Sequence, residues 1–217
     1  MHLSLHNYWR SSASYRVRIA LALKELRYDY IAVSIKAGDD AQHADAYRKL
    51  NPQARVPILQ ADDQILTQSM AILEWLDEVV PSPPLLPTNP YERAQVRALA
   101  QIIVADIQPL QNIGVTHHLA TIGVDQELIT GWVRHWITRG LTAFEHQLTR
   151  GTPGVFCHRD SPSLADICLV PQCYAARRFG VDLGAFPSLL AIEQHCLVQD
   201  AFKRAAPENQ PDAEKLT

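Results

Sequence analysis

Three serines and two arginines fall within seven residues, Arg10-Ser11-Ser12-Ala13-Ser14-Tyr15-Arg16, just ahead of the apolar run Val17-Arg18-Ile19-Ala20-Leu21-Ala22-Leu23-Lys24. A helix formed by that run turns its first backbone N–H groups toward the serines. Those donors and the helix dipole favour an anion, so a thiolate, phosphate or carboxylate could dock there with Ser11 or Ser12 donating as well. Simple N-capping by serine explains the same residues, and spacing alone leaves both readings open.

Two further landmarks carry binding chemistry. Val56-Pro57 puts a proline at the entry of a short apolar run, Val56-Pro57-Ile58-Leu59. A cis bond there turns the Val56 backbone outward to pair with an extended, peptide-like ligand; a trans edge-strand proline is the other reading. Gln68-Ser69 opens a helical stripe and offers an amide and a hydroxyl beside another set of helix-start N–H groups, suited to a carboxylate or again to capping. Ligands of open α/β sheets gather where the loops leave the strands, so three such features at one sheet end reinforce one another.

Other candidates point to structure. His117-His118 and Cys157-His158 are adjacent pairs, and sequence neighbours on a helix do not converge, so no metal site is indicated. The four cysteines, Cys157, Cys168, Cys173 and Cys196, form no C-x-x-C pair and read as reduced, buried thiols. Trp132 and Trp136 read as core anchors, Arg93 with Arg97 as a solvated helix face, and Arg177-Arg178 as cations complementing a helix C-terminus or holding an anion.

The elements that must position these residues fall into two halves. Leu3 to Tyr8 and Tyr28 to Ile35 read as strands around the helix from Val17 to Lys24, followed by a helical stretch at 41–50 and the breaker Asn51-Pro52. Val56 to Leu59 and Gln64 to Leu66 read as two strands turned at Asp62-Asp63. Ser69 through Val80 places Ile72, Leu73, Trp75, Leu76 and Val79 on one helical stripe, with Ser69 as its cap. Residues 1–80 therefore read βαβαββα. Residues 81–90 hold five prolines and read as a linker, and 91–217 read as all-helical. There, one helix runs from Tyr91 to about Leu119, bent at Pro109. Ser163-Leu164-Ala165-Asp166 is a capping box, and the tail from Ala205 to Thr217 reads as loosely held.

Twenty Lys+Arg against twenty-three Asp+Glu in 217 residues leave a net charge of −3, with no general attraction for nucleic acid or anionic lipid. The N-terminus lacks a basic patch followed by an apolar run, and no apolar stretch reaches membrane-spanning length, so a cytoplasmic protein is expected.

The segment Ser11-Ser12-Ala13-Ser14-Tyr15-Arg16-Val17-Arg18-Ile19-Ala20-Leu21 resembles the S-S-C-S-x-R-V-R-I-A-L signature of zeta-class glutathione transferases, which include the maleylacetoacetate and maleylpyruvate isomerases. The similarity continues through Leu50-Asn51-Pro52, Val56-Pro57, Gln68-Ser69, Ile107 to Asn112, Ser163 to Pro171 and Arg178 to Leu183. It implies a thioredoxin-like N-terminal domain, an all-α C-terminal domain, glutathione as cofactor and a homodimer. It places the glutathione sulfur near Ser11, Ser12 and Ala13, the cysteinyl backbone against Val56 before a cis Pro57, and the γ-glutamyl end on Gln68 and Ser69. Gln42 falls near the glycyl end, Gln108 and Asn112 come from the second domain, and Arg10 and Arg178 hold substrate carboxylates. Ala13 stands where the signature has cysteine, so a mechanism needing that thiol is closed to this chain. The implied activity is glutathione-dependent cis–trans isomerisation of a maleyl-type diacid. The alternatives are a general zeta-class transferase of small electrophiles or haloacids, which needs no carboxylate clamp, and a glutathione-binding interaction protein without turnover.

Overall fold

The computed structural model describes residues 1–214, and its chain divides into two compact units, residues 1–85 with those from 199 onward, and residues 86–198. In the first unit β1 (Leu3–Asn7) pairs in parallel with β2 (Asp29–Ala32) and antiparallel with β3 (Ile58–Ala61), which pairs antiparallel with β4 (Gln64–Thr67). The strand order is β2-β1-β3-β4. A parallel pair requires a crossover, and α1 (Ser12–Leu23) supplies it. After β2 come a single 3-10 turn, Ala41–His43, and α2 (Asp45–Leu50), and α3 (Ser69–Val79) follows β4. Asp62, at the β3–β4 turn, has φ of 50°, a conformation that Asp tolerates better than most residues.

Every position of α1 from Ser14 to Leu21 is buried, so this helix is covered on all sides rather than along one stripe. It packs against α3 and against α10 (Asp200–Ala205). Placing α10 there corrects the sequence expectation that residues 199–214 belong to the helical half and that the tail is loosely held. Phe202 is fully buried, Pro207 is buried, and residues after them bond back to the sheet unit. The apolar residues of this segment bury in the first unit, which polar composition around Pro207 and Pro211 conceals. The last part of the expected tail, 215–217, lies outside the described residues.

In the second unit α4 (Pro90–Gln101) is capped by Asn89, continues as a π-helical stretch (Ile102–Ile107) and then α5 (Gln108–Gln111), and stops at Asn112 before α6 (Ile113–Thr121). The single bent helix expected here is thus broken. Pro109 has no N–H to give to the carbonyl four residues earlier, so the ladder shifts to wider bonding ahead of it. Asn112, with ψ of 144°, leaves the helical region and its Oδ1 caps Gly114 N–H at 2.9 Å. The long α7 (Gln126–Arg150) buries Ile129, Val133, Ile137, Leu141, Phe144 and Leu148. Trp132 is not the core anchor expected: it is 37% exposed and its Nε1–H donates to Leu110 O at 2.8 Å. Then come α8 (Leu164–Arg178) and α9 (Pro187–Leu197). The capping box forms, with Ser163 N–H donating to Asp166 Oδ2 at 2.8 Å, and Asp166 Oδ1 also accepts from Cys157 N–H. No helix among the described residues is long and apolar enough to cross a membrane.

Several element boundaries differ from the sequence reading. Helix α1 begins at Ser12, five residues before Val17, because Ser11 caps it. Strand β3 begins at Ile58, and Gln68 rather than Ser69 precedes the first helical residue of α3. Val79 is exposed and Trp75 half-buried, so the stripe of α3 narrows to Ile72, Leu73 and Leu76.

Candidate active site

The sheet register brings the predicted landmarks to one end. His6 pairs with Ile58, Ile58 with Thr67, and Asn7 with Ala32. Residues just beyond these positions are Arg10 to Ala13 after β1, Val56-Pro57 before β3, Gln68-Ser69 after β4, and the loop holding Gln42 after β2. All leave the sheet at its carboxyl end with respect to the parallel pair, where loops of such sheets bind ligands.

Ser11 resolves the choice between capping and anion binding by permitting both. Its Oγ accepts from Ser14 N–H at 3.3 Å, and acceptance leaves the hydroxyl proton to donate. Ser12 and Ala13 head α1 and are half-buried, so their backbone amides lie where an anion meets the positive end of the helix. The half-buried Arg10 carries its guanidinium over the Trp9 ring, 5.3 Å from the centroid.

The loop that carries Arg10 is gripped from behind by Arg18, which sequence reading left without a role. Arg18 is 1% exposed. Its guanidinium donates to Asn7 Oδ1 at 3.0 Å, Tyr8 O at 3.4 Å, Trp9 O at 2.8 Å and Ala205 O at 3.0 Å. Burial lowers its pKa, against the pull of the nearby tyrosines and Asp212. The available sequence signal was an arginine inside an otherwise apolar helix that is buried all round.

At Val56 the expected cis bond to Pro57 is present. Val56 packs against the buried group Val33, Tyr47 and Ile58, which fixes its side chain while its backbone precedes the sheet ladder. The loop before it is held by two donors on one carbonyl, Tyr47 Oη and Asn51 Nδ2 on Arg55 O at 2.9 and 2.8 Å. Gln68 adopts φ 67° and ψ 112°, a conformation costing a non-glycine residue about 1–3 kcal/mol. Its Nε2 donates to Gln53 Oε1 at 2.7 Å, and Ser69 beside it is buried at the first position of α3. Gln42 is buried, and its Oε1 has no hydrogen-bond partner among the described residues.

These features fit a short, anionic, peptide-like molecule such as glutathione. Two helix starts can receive anionic groups, an extended backbone edge sits at Val56, and a buried amide oxygen lacks a donor.

The second unit holds the other predicted residues. Gln108 is half-buried in α5, Asn112 caps α6, and Arg178 is exposed at the end of α8, its guanidinium 4.7 Å from the Phe179 ring centroid. Gln111 and Gln172 exchange amide bonds at 2.9 and 3.2 Å, tying α5 to α8. Arg177 is a structural cation: it forms a two-point pair with the buried Glu193 at 2.5 Å. All four cysteines are buried. Burial pushes the thiols of Cys157, Cys173 and Cys196 upward, so with Ala13 in the helix start the site has no protein thiolate.

The family description "Glutathione S-transferase, N-terminal domain" matches residues 10–79. A probable maleylacetoacetate isomerase of Vibrio cholerae is 46% identical over 98% of this chain and 99% of its own. A solved maleylpyruvate isomerase, described as a bacterial glutathione transferase in zeta class, is 45% identical with a TM-score of 0.94, covering 97% of this chain and all of its own. This chain is a zeta-class glutathione transferase. A third relative, the maleylacetoacetate isomerase of Anaeromyxobacter dehalogenans, is 44% identical over 98% of both chains with a TM-score of 0.88, and was solved with dicarboxyethyl glutathione and citrate in its active site. The zeta-class fold thus comprises the thioredoxin-like sheet unit and the helical unit that the resemblance implied.

Proposed function

We propose that this zeta-class transferase is a glutathione-dependent cis–trans isomerase that converts a maleyl-type diacid, maleylacetoacetate or maleylpyruvate, to its fumaryl form. The observation that carries this reading is the anion-stabilising helix start at Ser11 to Ala13, which follows Arg10 directly in the chain and carries alanine rather than a thiol at position 13. The relative that holds a dicarboxyethyl derivative of glutathione supports a diacid next to the sulfur.

When bound, glutathione supplies a thiolate that adds reversibly to the conjugated cis double bond, breaks its π character and leaves once rotation has occurred. The Ser11 hydroxyl and the amides heading α1 hold negative charge on sulfur. Arg10 holds a carboxylate of the diacid and stabilises the charge that develops on its carbonyl oxygen; Arg178 holds the other carboxylate. Gln68 and Ser69 take the γ-glutamyl carboxylate, the Val56 backbone pairs with the cysteinyl unit, and Gln42 is assigned to the glycyl end; Gln108 and Asn112 are assigned to glutathione binding by the family resemblance. A cytoplasmic homodimer belongs to the same proposal; four buried cysteines that form no disulfide support a reducing compartment, and light scattering at twice the chain mass tests the dimer.

The test is a spectrophotometric assay of both diacids with and without glutathione, run beside a standard conjugation substrate. The expected result is fast isomerisation that requires but does not consume glutathione. Conjugation without isomerisation moves the function to a general transferase, and glutathione binding without either reaction moves it to a binding protein.

A further inference from the structure

The C-terminal segment makes the sharpest unexplained contact with the active-site loop. Asp212 is half-buried, and its Oδ2 accepts from Trp9 N–H at 3.1 Å while its Oδ1 accepts a short bond from Tyr30 Oη. Tyr30 stays a neutral donor, because burial and the bond to Asp212 drive its pKa far upward. Trp9 immediately precedes Arg10, and the Trp9 carbonyl is the one that Arg18 holds at 2.8 Å. One peptide segment is therefore clamped at its N–H by Asp212 and at its C=O by Arg18. Ala205 O, also on the C-terminal segment, is bound by the same Arg18 through Nε at 3.0 Å.

We infer that Asp212 is a positioning residue: oriented by Tyr30, it fixes the Trp9–Arg10 backbone and thereby aims the Arg10 guanidinium at the diacid. The consequence for substrate depends on the role proposed above for Arg10; the clamp itself does not. Ser11 is less exposed to loss of the clamp, since it is held separately by its cap bond to Ser14 and by Ser11 N–H donating to Tyr8 O at 3.0 Å. Val56, Gln68 and Ser69 have no part in it. Losing Asp212 should therefore damage diacid recognition more than glutathione recognition.

The experiment uses the full chain with Asp212→Ala, Asp212→Asn, Tyr30→Phe and Arg10→Ala. Asp212→Ala should raise KM for the diacid about tenfold, as expected from losing a charged acceptor on a buried amide. KM for glutathione should move by less than about twofold, because no glutathione contact is removed. Asp212→Asn keeps one carbonyl oxygen and should fall between wild type and Asp212→Ala, as should Tyr30→Phe. In an Arg10→Ala background, Asp212→Ala should add nothing further to the diacid KM, because the clamp would then have nothing to aim. A generally loosened fold would instead cut the active fraction for all substrates and add its cost in either background; that pattern overturns the positioning role. Amide hydrogen exchange gives the readout that does not need the reaction: in Asp212→Ala, peptides spanning Tyr8 to Ser11 should exchange at least about tenfold faster, with α3 unchanged. Unchanged exchange in that loop overturns the clamp. A wild-type enzyme that isomerises neither diacid overturns the proposed function alone, and the exchange comparison still decides the clamp.

Discussion

Replacing Arg18 by methionine tests whether the helix start is supported from beneath. The substitution keeps an unbranched apolar stem and removes a guanidinium that serves four acceptors, Asn7 Oδ1, Tyr8 O, Trp9 O and Ala205 O. Tyr8 O keeps the Ser11 N–H at 3.0 Å, and each of the other three buried acceptors left without a donor costs about 1–3 kcal/mol. Against their sum stands the desolvation cost of the buried cation, which the variant no longer bears, and water can reach some of the vacated space. The net loss expected for breaking such a buried charged network is about 3–5 kcal/mol. For a chain of 217 residues that corresponds to a drop in melting temperature of roughly 6–20 °C, at about 2–4 °C per kcal/mol. Arg18→Lys retains charge but not the fork, reaches fewer of the four acceptors, and should fall between the two. Urea denaturation of the three proteins, read by circular dichroism, gives the comparison. A methionine variant within about 1 kcal/mol of wild type would refute the reasoning, since it would mean that Asn7 Oδ1, Trp9 O and Ala205 O do not depend on the guanidinium.

Three further outcomes follow from the same structure. Ser11→Ala should lower isomerisation at least about tenfold while costing only ~1 kcal/mol of stability through the lost cap; unchanged kinetics remove Ser11 from the mechanism. Gly140→Ala should destabilise by about 1–3 kcal/mol, because its Cβ would overlap the Ile107 side chain at the π-helical stretch; a melting temperature equal to wild type contradicts that packing. Burial lowers the pKa of His6 below 6.5, with a Gln60 bond opposing. The unfolded chain then binds more protons than the folded one between the folded value and 6.5, so His6's share of stability is present above 6.5 and lost on acidification through that window. His6→Gln should flatten the decline in urea midpoint between about pH 7.5 and 5.5 relative to wild type; identical declines would show that His6 has no such share.

What the sequence alone determined was local or periodic. Alternation in Leu3 to Asn7, the helical spacing of Ile72, Leu73 and Leu76, the Asp62-Asp63 turn and the Ser163–Asp166 capping box each depend on residues a few positions apart, so composition and spacing specify them. The candidate site was legible for the related reason that helix starts and an X-Pro pair carry their chemistry in the backbone, whose position the pattern fixes. Tertiary structure decided the rest. That Trp132 is exposed while Val133 is buried depends on which neighbouring helix covers α7. Above all, nothing local links Arg18 to Ala205 or Trp9 and Tyr30 to Asp212: these contacts span roughly the whole chain, and only folding brings the C-terminal segment back beneath the loop that carries Arg10.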